Sequence, residues 1–169
     1  MREVKTIEEQ LILHEGLRHE VYKCPAGKWT IGVGRNLEAK GLTKQEQARI
    51  LGTSGLSKLE VIDVLLERGI SKEEALFLLA GDIMQCRSDL SRYDWYTKLD
   101  AVRQKVLVDM RLNLGMAGLL AFKNMILALA VRDYEVAANE MIDSAWYHQV
   151  GNRSKRLIRM MATGEDYEK

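Results

Sequence analysis

The chain has 169 residues, which is long enough for one domain with a hydrophobic core. Its hydrophobic fraction of 47% and charged fraction of 29% exclude extended disorder, and its net charge of +1 gives no electrostatic reason to expect a nucleic-acid partner. No segment approaches the ~20 apolar residues of a membrane span. The two cysteines make no disulfide framework and the histidines and cysteines show no metal-ligand spacing, so the sequence implies no cofactor.

The spacing of the apolar residues indicates a helix first and a small sheet after it. Apolar side chains at helical spacing precede Gly16, where the first helix is predicted to end. The stretches 19–24 and 28–35 are β-branched and aromatic, and the Pro-Ala-Gly between them favours a turn, so a hairpin is predicted. Gly32 and Gly34 alternate with apolar residues, which indicates backbone that is approached closely on one face.

The remainder of the chain is predicted to be helical. One capping box, Thr43 with Glu46, opens a helix, and another, Ser71 with Glu74, opens a helix long enough to join two lobes. After Trp95 every segment has the helical period, and the connections are short. These patterns predict an α+β fold in which the β structure is confined to a small N-terminal lobe.

Three side chains with useful chemistry surround the predicted hairpin. Glu15 ends the first helix, and Cys24 and Thr30 lie near each other on opposing strands beside the turn. Apolar neighbours of Glu15 would favour its protonated form, as a general acid requires. A hydroxyl and a second titratable group can hold and activate a water molecule, which is the arrangement that glycoside hydrolysis needs. Spacing alone leaves open a surface glutamate and a buried structural cysteine.

The segment 14–38, "HEGLRHEVYKCPAGKWTIGVGRNLE", resembles the active-site segment of phage-type lysozymes, the endolysins that cut host peptidoglycan. That family carries a glutamate, an aspartate nine residues later and a threonine six residues further on, inside "TIGxG". By this resemblance Glu15 is the general acid and Thr30 helps to hold the attacking water. Cys24 stands where most members have the aspartate, although some members have cysteine there.

The resemblance continues in the second half of the chain. Residues 100–115, "DAVRQKVLVDMRLNLG", resemble the central helix of the family's C-terminal lobe, and residues 144–156, "SAWYHQVGNRSKR", resemble its closing segment. The resemblance implies that Arg153 is the charge partner of the general acid. It also implies that Asn36 and Leu112 border the sugar-binding cleft.

The cysteine at the aspartate position leaves three interpretations open. Cys24 can be a thiolate, favoured by a nearby cation, that takes over the role of the aspartate as base or electrostatic support. It can instead attack the sugar and form a covalent intermediate. In the third interpretation Cys24 only occupies the position, and Glu15 and Thr30 do most of the work. The resemblance implies inversion at the anomeric carbon.

The residues and the resemblance together predict an α+β, mostly helical lysozyme-like fold. It is predicted as a single domain over residues 1–169, with a small β-hairpin lobe at about residues 15–70. A helical lobe takes about residues 71–169 together with the first helix, and a long helix joins the two lobes.

The predicted function is that of an endolysin, a bacteriolytic and antimicrobial muramidase. It would hydrolyse the β-1,4 bond between N-acetylmuramic acid and N-acetylglucosamine of peptidoglycan and so cause host cell lysis. The alternatives are a lytic transglycosylase acting on the same bond and a non-catalytic wall-binding module. We expect a monomer that is made in the host cytoplasm, has no export leader, and reaches the wall after a holin has permeabilised the membrane.

Overall fold

The structure is a computed structural model that describes residues 5–167 of the chain. It has a small antiparallel sheet and a larger set of helices, which confirms the predicted mostly helical α+β fold class. The elements follow in chain order as α1 (Ile7–Glu15), β1 (Arg18–Lys23), β2 (Trp29–Gly32), β3 (Arg35–Asn36), α2 (Lys44–Leu51), α3 (Lys58–Arg68), α4 (Lys72–Leu90), α5 (Asp94–Thr97), α6 (Ala101–Leu120), α7 (Lys123–Ala130), α8 (Tyr134–Ile142), α9 (Ala145–Gln149) and α10 (Asn152–Thr163).

The chain forms two compact units, which we call the sheet unit and the helical unit. The sheet unit contains residues 8–82, and the described part of the helical unit contains residues 5–7 and 83–167. The boundary after residue 82 falls within the long helix α4. The sequence predicts the first helix in the helical lobe, whereas residues 8–15 of α1 group with the sheet. The single domain and its lobe bounds stay a prediction.

The predicted hairpin is confirmed, but its second strand, predicted over 28–35, ends at Gly32, because the chain turns at Val33 and Gly34 into a third short strand. The strand order is β1-β2-β3 and both pairings are antiparallel. The turn is closed by a hydrogen bond of 2.7 Å from the N–H of Gly27 to the carbonyl oxygen of Cys24. Gly27 has φ +77°, the left-handed conformation that a three-residue hairpin loop requires at its last position.

Both predicted capping boxes are present. The Thr43 hydroxyl accepts the N–H of Glu46 at 3.1 Å, and the Glu46 carboxylate accepts the N–H of Thr43 at 2.9 Å. Ser71 and Glu74 make the same pair of hydrogen bonds and open α4. These helices and α3 enclose the apolar core of the sheet unit, which consists of Ile31, Leu37, Leu42, Ile50, Val61, Ile62, Leu65, Ile70, Ala75 and Leu78.

The helical unit is built around α6, α7, α8 and α10. Its core is rich in methionine, because Met110, Met125, Met141, Met160 and Met161 are all fully buried. Gly115 has φ 74° and ψ 169°, which breaks α6 where the sequence predicts a helix end. Within residues 5–167, no single helix is long and apolar enough to cross a membrane; α6 and α7, bent by 99° at their junction, meet that criterion only as a pair.

Candidate active site

Glu15 is held at the end of α1 with its carboxyl group against the β2–β3 turn. The helix ends when Gly16, at φ +74°, turns the chain and donates its N–H to the carbonyl oxygen of Ile12 at 2.8 Å. The half-buried Glu15 side chain then lies directly over Gly34. A Cβ atom at Gly34 would stand 2.9 Å from Cδ and 3.0 Å from Oε2 of Glu15, so the predicted close approach to this glycine is confirmed.

Cys24 is half-buried at the first corner of the hairpin turn. Burial alone would raise the pKa of its thiol. Hydrogen bonds from the backbone of Lys28, from the Thr30 side chain and from the backbone of Ala26 and of Cys24 itself outweigh burial and lower that pKa below its ordinary value. The groups that favour the thiolate are therefore hydrogen-bond donors of the turn, and the nearby cation expected from the sequence is not among them.

Thr30 connects the turn to the middle strand. Its side chain is buried, and its hydroxyl donates a hydrogen bond of 2.9 Å to the carbonyl oxygen of Lys28; the same hydroxyl is one of the groups that lower the pKa of Cys24. A hydroxyl has one proton and two lone pairs. It can therefore accept from a neutral Cys24 thiol or a water molecule, or turn its proton toward a thiolate.

Tyr22 belongs to the same group of side chains, and sequence reasoning missed it. It is the cross-strand partner of Thr30, so the two side chains lie on one face of the sheet. Burial is the main cause that raises the pKa of Tyr22; the negative charge of Glu15 raises it further, Arg18 opposes the rise, and Cys24 adds to it. The Tyr22 hydroxyl thus lies in the electrostatic field of both predicted catalytic groups.

Asn36 is the cross-strand partner of Thr30 on the other side, in β3. Its Oδ1 atom accepts the backbone N–H groups of Glu38 at 3.0 Å and Ala39 at 2.9 Å. The side chain therefore shapes the turn that follows the sheet, and its Nδ2 group is the part that can serve a ligand. Its predicted role in sugar binding stays a prediction.

Arg153 lies in the helical unit, near the start of α10, and is nearly buried. Its Nε atom donates to Oδ1 of the fully buried Asp109 at 2.9 Å, and its terminal nitrogen lies 2.8 Å from the same oxygen. Asp109 was missed, although an acidic residue inside the apolar run of α6 was a signal for it. That Arg153 is the charge partner of Glu15 stays a prediction, as does the substrate-binding role of Leu112, which is half-buried on α6.

A buried ion network stands next to Gly34, and the sequence analysis missed it as well. Arg35 is 2% exposed, yet each of its five N–H donors has an acceptor. It donates to Asp82 at 3.1 Å and to the two oxygens of Glu46 at 2.8 and 2.9 Å. The other two donors reach the carbonyl oxygens of Gly41 at 3.0 Å and Leu78 at 3.2 Å.

The charges of this network stabilise one another. Burial alone would lower the pKa of Arg35, but the carboxylates of Glu46 and Asp82 raise it. Burial alone would raise the pKa of Glu46, but hydrogen bonds from Arg35 and from the backbone of Thr43 lower it. Because a guanidinium binds carboxylates in a fixed fork geometry, Arg35 ties β3 firmly to α2 and α4.

The structure thus brings three of the predicted site residues, Glu15, Cys24 and Thr30, together in the sheet unit, with Asn36 beside Thr30. A carboxyl group that lies over a turn, a thiol with a lowered pKa and a hydroxyl that contributes to that lowering can perform acid–base chemistry on a bound water. Cys24 and Cys86 are both free thiols, so no disulfide competes with this use of Cys24.

Comparisons with known proteins identify the family of the chain. The phage lysozyme family model matches residues 13–162. "Probable T4-type lysozyme 1" of Dictyostelium discoideum is 30% identical over 168 residues, which cover 95% of this chain and 96% of that protein. "Probable T4-type lysozyme 2" of the same organism is 30% identical over 166 residues, with 95% and 96% covered.

A third relative is a larger protein. The "Pre-baseplate central spike protein Gp5" of Enterobacteria phage T4 is 28% identical over 171 residues, which cover 92% of this chain but 27% of that protein. The family match and the two full-length relatives decide the assignment. The chain therefore belongs to the phage lysozyme family and is a lysozyme-like cell-wall hydrolase.

Proposed function

We propose that this chain is an endolysin that hydrolyses the β-1,4 bond between N-acetylmuramic acid and N-acetylglucosamine in bacterial peptidoglycan. Family membership supplies the class of reaction and the polymer. The observation that carries the proposal is the hairpin turn at Cys24, whose hydrogen-bond donors lower the pKa of the thiol, in the unit where the Glu15 carboxyl lies against Gly34. Glycoside hydrolysis needs an acid on one side of the bond and a water-activating group on the other.

Glu15 is the general acid of the proposed reaction. Its carboxyl proton passes to the bridging oxygen as the glycosidic bond breaks, which makes the departing sugar a neutral alcohol. The contact with Gly34 limits where the carboxyl can lie, so the proton is presented from a fixed point. Arg153 is the proposed charge partner of this group, and Asn36 and Leu112 are the proposed sugar-binding residues.

Cys24 and Thr30 handle the water. The thiolate of Cys24 takes one proton from the water molecule while the oxygen of that water attacks the anomeric carbon. The Thr30 hydroxyl orients the same water molecule. The lowered pKa of the thiol supports this role, because it increases the thiolate fraction near neutral pH. The bond to the leaving oxygen breaks on the face opposite to attack, so the product is inverted.

The proposal extends to host lysis. The protein is made in the host cytoplasm as a monomer and reaches the wall only after a holin has permeabilised the membrane. Expression in Gram-negative cells should leave them intact until chloroform is added, and turbidity should then fall. Lysis without any membrane lesion, or the protein in the periplasm of intact cells, would contradict this part of the proposal.

The test of the chemistry is to digest purified peptidoglycan and to identify the products by mass spectrometry and NMR. Hydrolysis gives reducing N-acetylmuramic acid ends that each carry one added water, and inversion of a β bond gives the α anomer first. The matched control is Glu15→Gln, which keeps the size of the side chain but lacks an acidic proton. It should lower the rate by about 10²–10⁴ while the urea unfolding midpoint stays close to that of the parent.

Three other results would contradict the proposal. Anhydro ends would identify a lytic transglycosylase, and reducing N-acetylglucosamine ends would identify cleavage of the other glycosidic bond. Binding to the wall without release of any product by the folded protein would identify a wall-binding module. A β anomer as the first product would leave the bond assignment intact but replace inversion with a covalent intermediate on Cys24.

A further inference from the structure

The carboxyl group of a general acid has to be held at one place, and the β2–β3 turn provides the surface that holds it here. We propose that Gly34 is a positioning residue for Glu15: because glycine has no side chain, the Glu15 carboxyl can lie directly against the backbone of the β2–β3 turn. This inference deepens the proposed function and rests on it, because it concerns the same acid.

The contact involves the whole end of the Glu15 side chain. A Cβ atom at Gly34 would stand 2.9 Å from Cδ, 3.0 Å from Oε2 and 3.1 Å from Cγ. All three distances are shorter than ordinary van der Waals contact, so rotation of the carboxylate alone would not relieve them. The side chain would have to move by roughly 0.5 Å, together with the proton that it donates.

The backbone at Gly34 is fixed by the residues on either side of it. Val33, the residue before Gly34, is 3% exposed, and Arg35, the residue after it, is 2% exposed. Arg35 is bound to Glu46 and Asp82 by charged hydrogen bonds. Because both flanking side chains are fixed in the interior, a clash at Gly34 would displace the carboxyl end of Glu15 and not the turn.

The backbone conformation at Gly34 is a second reason for glycine at this position, and the test has to distinguish it from the positioning of Glu15. Its φ of +71° favours glycine whatever lies nearby. Gly52, in the same unit, has φ +73°, but a Cβ atom there would meet nothing within 4 Å. The substitutions Gly34→Ala and Gly52→Ala therefore share the backbone strain, and only the first obstructs Glu15.

The kinetic test compares these two variants on a soluble peptidoglycan fragment. Gly34→Ala should lower kcat by about tenfold, with KM within about twofold of the parent, because a displacement of 1 Å in a reacting group can cost about 10²-fold. Gly52→Ala should leave both constants unchanged. If Gly34, like Gly52, only satisfies a positive φ, both alanine variants should lose stability and both should keep the kcat of the parent.

A second measurement does not depend on activity. Each glycine variant is made in the parent and again after replacement of Glu15 by alanine, and urea unfolding midpoints are compared. Gly34→Ala should lower the midpoint by less in the Glu15→Ala background, since the obstructed side chain is gone. Gly52→Ala should lower it by the same amount in both backgrounds.

The two measurements distinguish failure of the proposed function from failure of the proposed role of Gly34. If the parent cleaves no peptidoglycan, the proposed function fails, and the unfolding midpoints alone decide the role of Gly34. A kcat for Gly34→Ala equal to that of Gly52→Ala overturns the proposal. So does an effect of Gly34→Ala on the midpoint that is the same with and without Glu15.

Discussion

The turn around Cys24 and the network around Arg35 both stabilise negative charge in the sheet unit, but they use different donors. At Cys24 most of the donors are backbone N–H groups of an exposed turn, supplemented by the Thr30 hydroxyl. At Arg35 a buried guanidinium serves two buried carboxylates, Glu46 and Asp82, and Asp82 also binds the half-exposed Lys40.

The two sets of hydrogen-bond donors suit different roles: those at the Cys24 turn support reactivity, and those at Arg35 support stability. A half-buried group on a turn can exchange protons with water and with a substrate, and its backbone donors do not depend on any side chain. A buried carboxylate does no chemistry of this kind, and its charge becomes a liability once its partner is removed. Substitutions at the turn should therefore change activity, and substitutions in the network should change stability.

The largest effect is expected for Arg35→Ala. It leaves the buried Glu46 carboxylate without its guanidinium partner and Asp82 with Lys40 alone, which should lower the free energy of unfolding by about 3–5 kcal/mol. Urea denaturation measures this loss. If the variant unfolds within 1 kcal/mol of the parent, on the order of a surface pair, the network does not stabilise the sheet unit and the comparison fails.

The next effect is expected for Cys24→Ala, in kcat and not in stability. Loss of the water-activating group should lower kcat by about 10²-fold, whereas Cys24→Asp should retain activity because a carboxylate can act as the base. The urea midpoint of Cys24→Ala should match that of the parent. Cys24→Ala with the parent rate of wall cleavage would show that this residue is not catalytic.

A smaller effect is expected in the pH dependence of kcat/KM, which reports the pKa values of the free enzyme. If the thiolate is the active form, activity rises as pH increases through the pKa of Cys24, which the donors of the turn lower from the ordinary value of a thiol. Thr30→Val removes one donor, so the thiol pKa and the rise should both move to higher pH. Cys24→Asp should move the rise toward acid. If the pH at which activity rises is the same in both variants and in the parent, another group is responsible for the rise.

The features that the sequence predicted are those set by neighbouring residues. The capping boxes at Thr43 and Ser71 and the turn after Cys24 each lie within a few positions, and each has one favourable local geometry. The close approach at Gly34 was predictable for the same reason, since glycine in a strand pattern marks crowded backbone. The strand β3 was missed because its two residues are too few to show a period.

The features that were missed depend on residues far apart in the chain. Arg35 binds Glu46, eleven positions away, and Asp82, forty-seven positions away. The local pattern marks Glu46 only as a capping residue and does not mark Asp82. The donors at Cys24 were missed for a different reason, because backbone N–H groups carry no sequence signal. A resemblance could identify the reacting residues, but their electrostatic support had to come from the fold.

The smallest effect is expected for Arg68→Ala, which tests burial as the cause of the difference. Arg68 also binds a carboxylate through two hydrogen bonds, to Glu74 at 2.8 and 3.1 Å, but its side chain is 40% exposed. Water can replace the guanidinium there, so the loss should be about 0–1 kcal/mol by urea denaturation. A loss as large as that of Arg35→Ala would mean that pairing geometry, and not burial, decides what an arginine contributes in this unit.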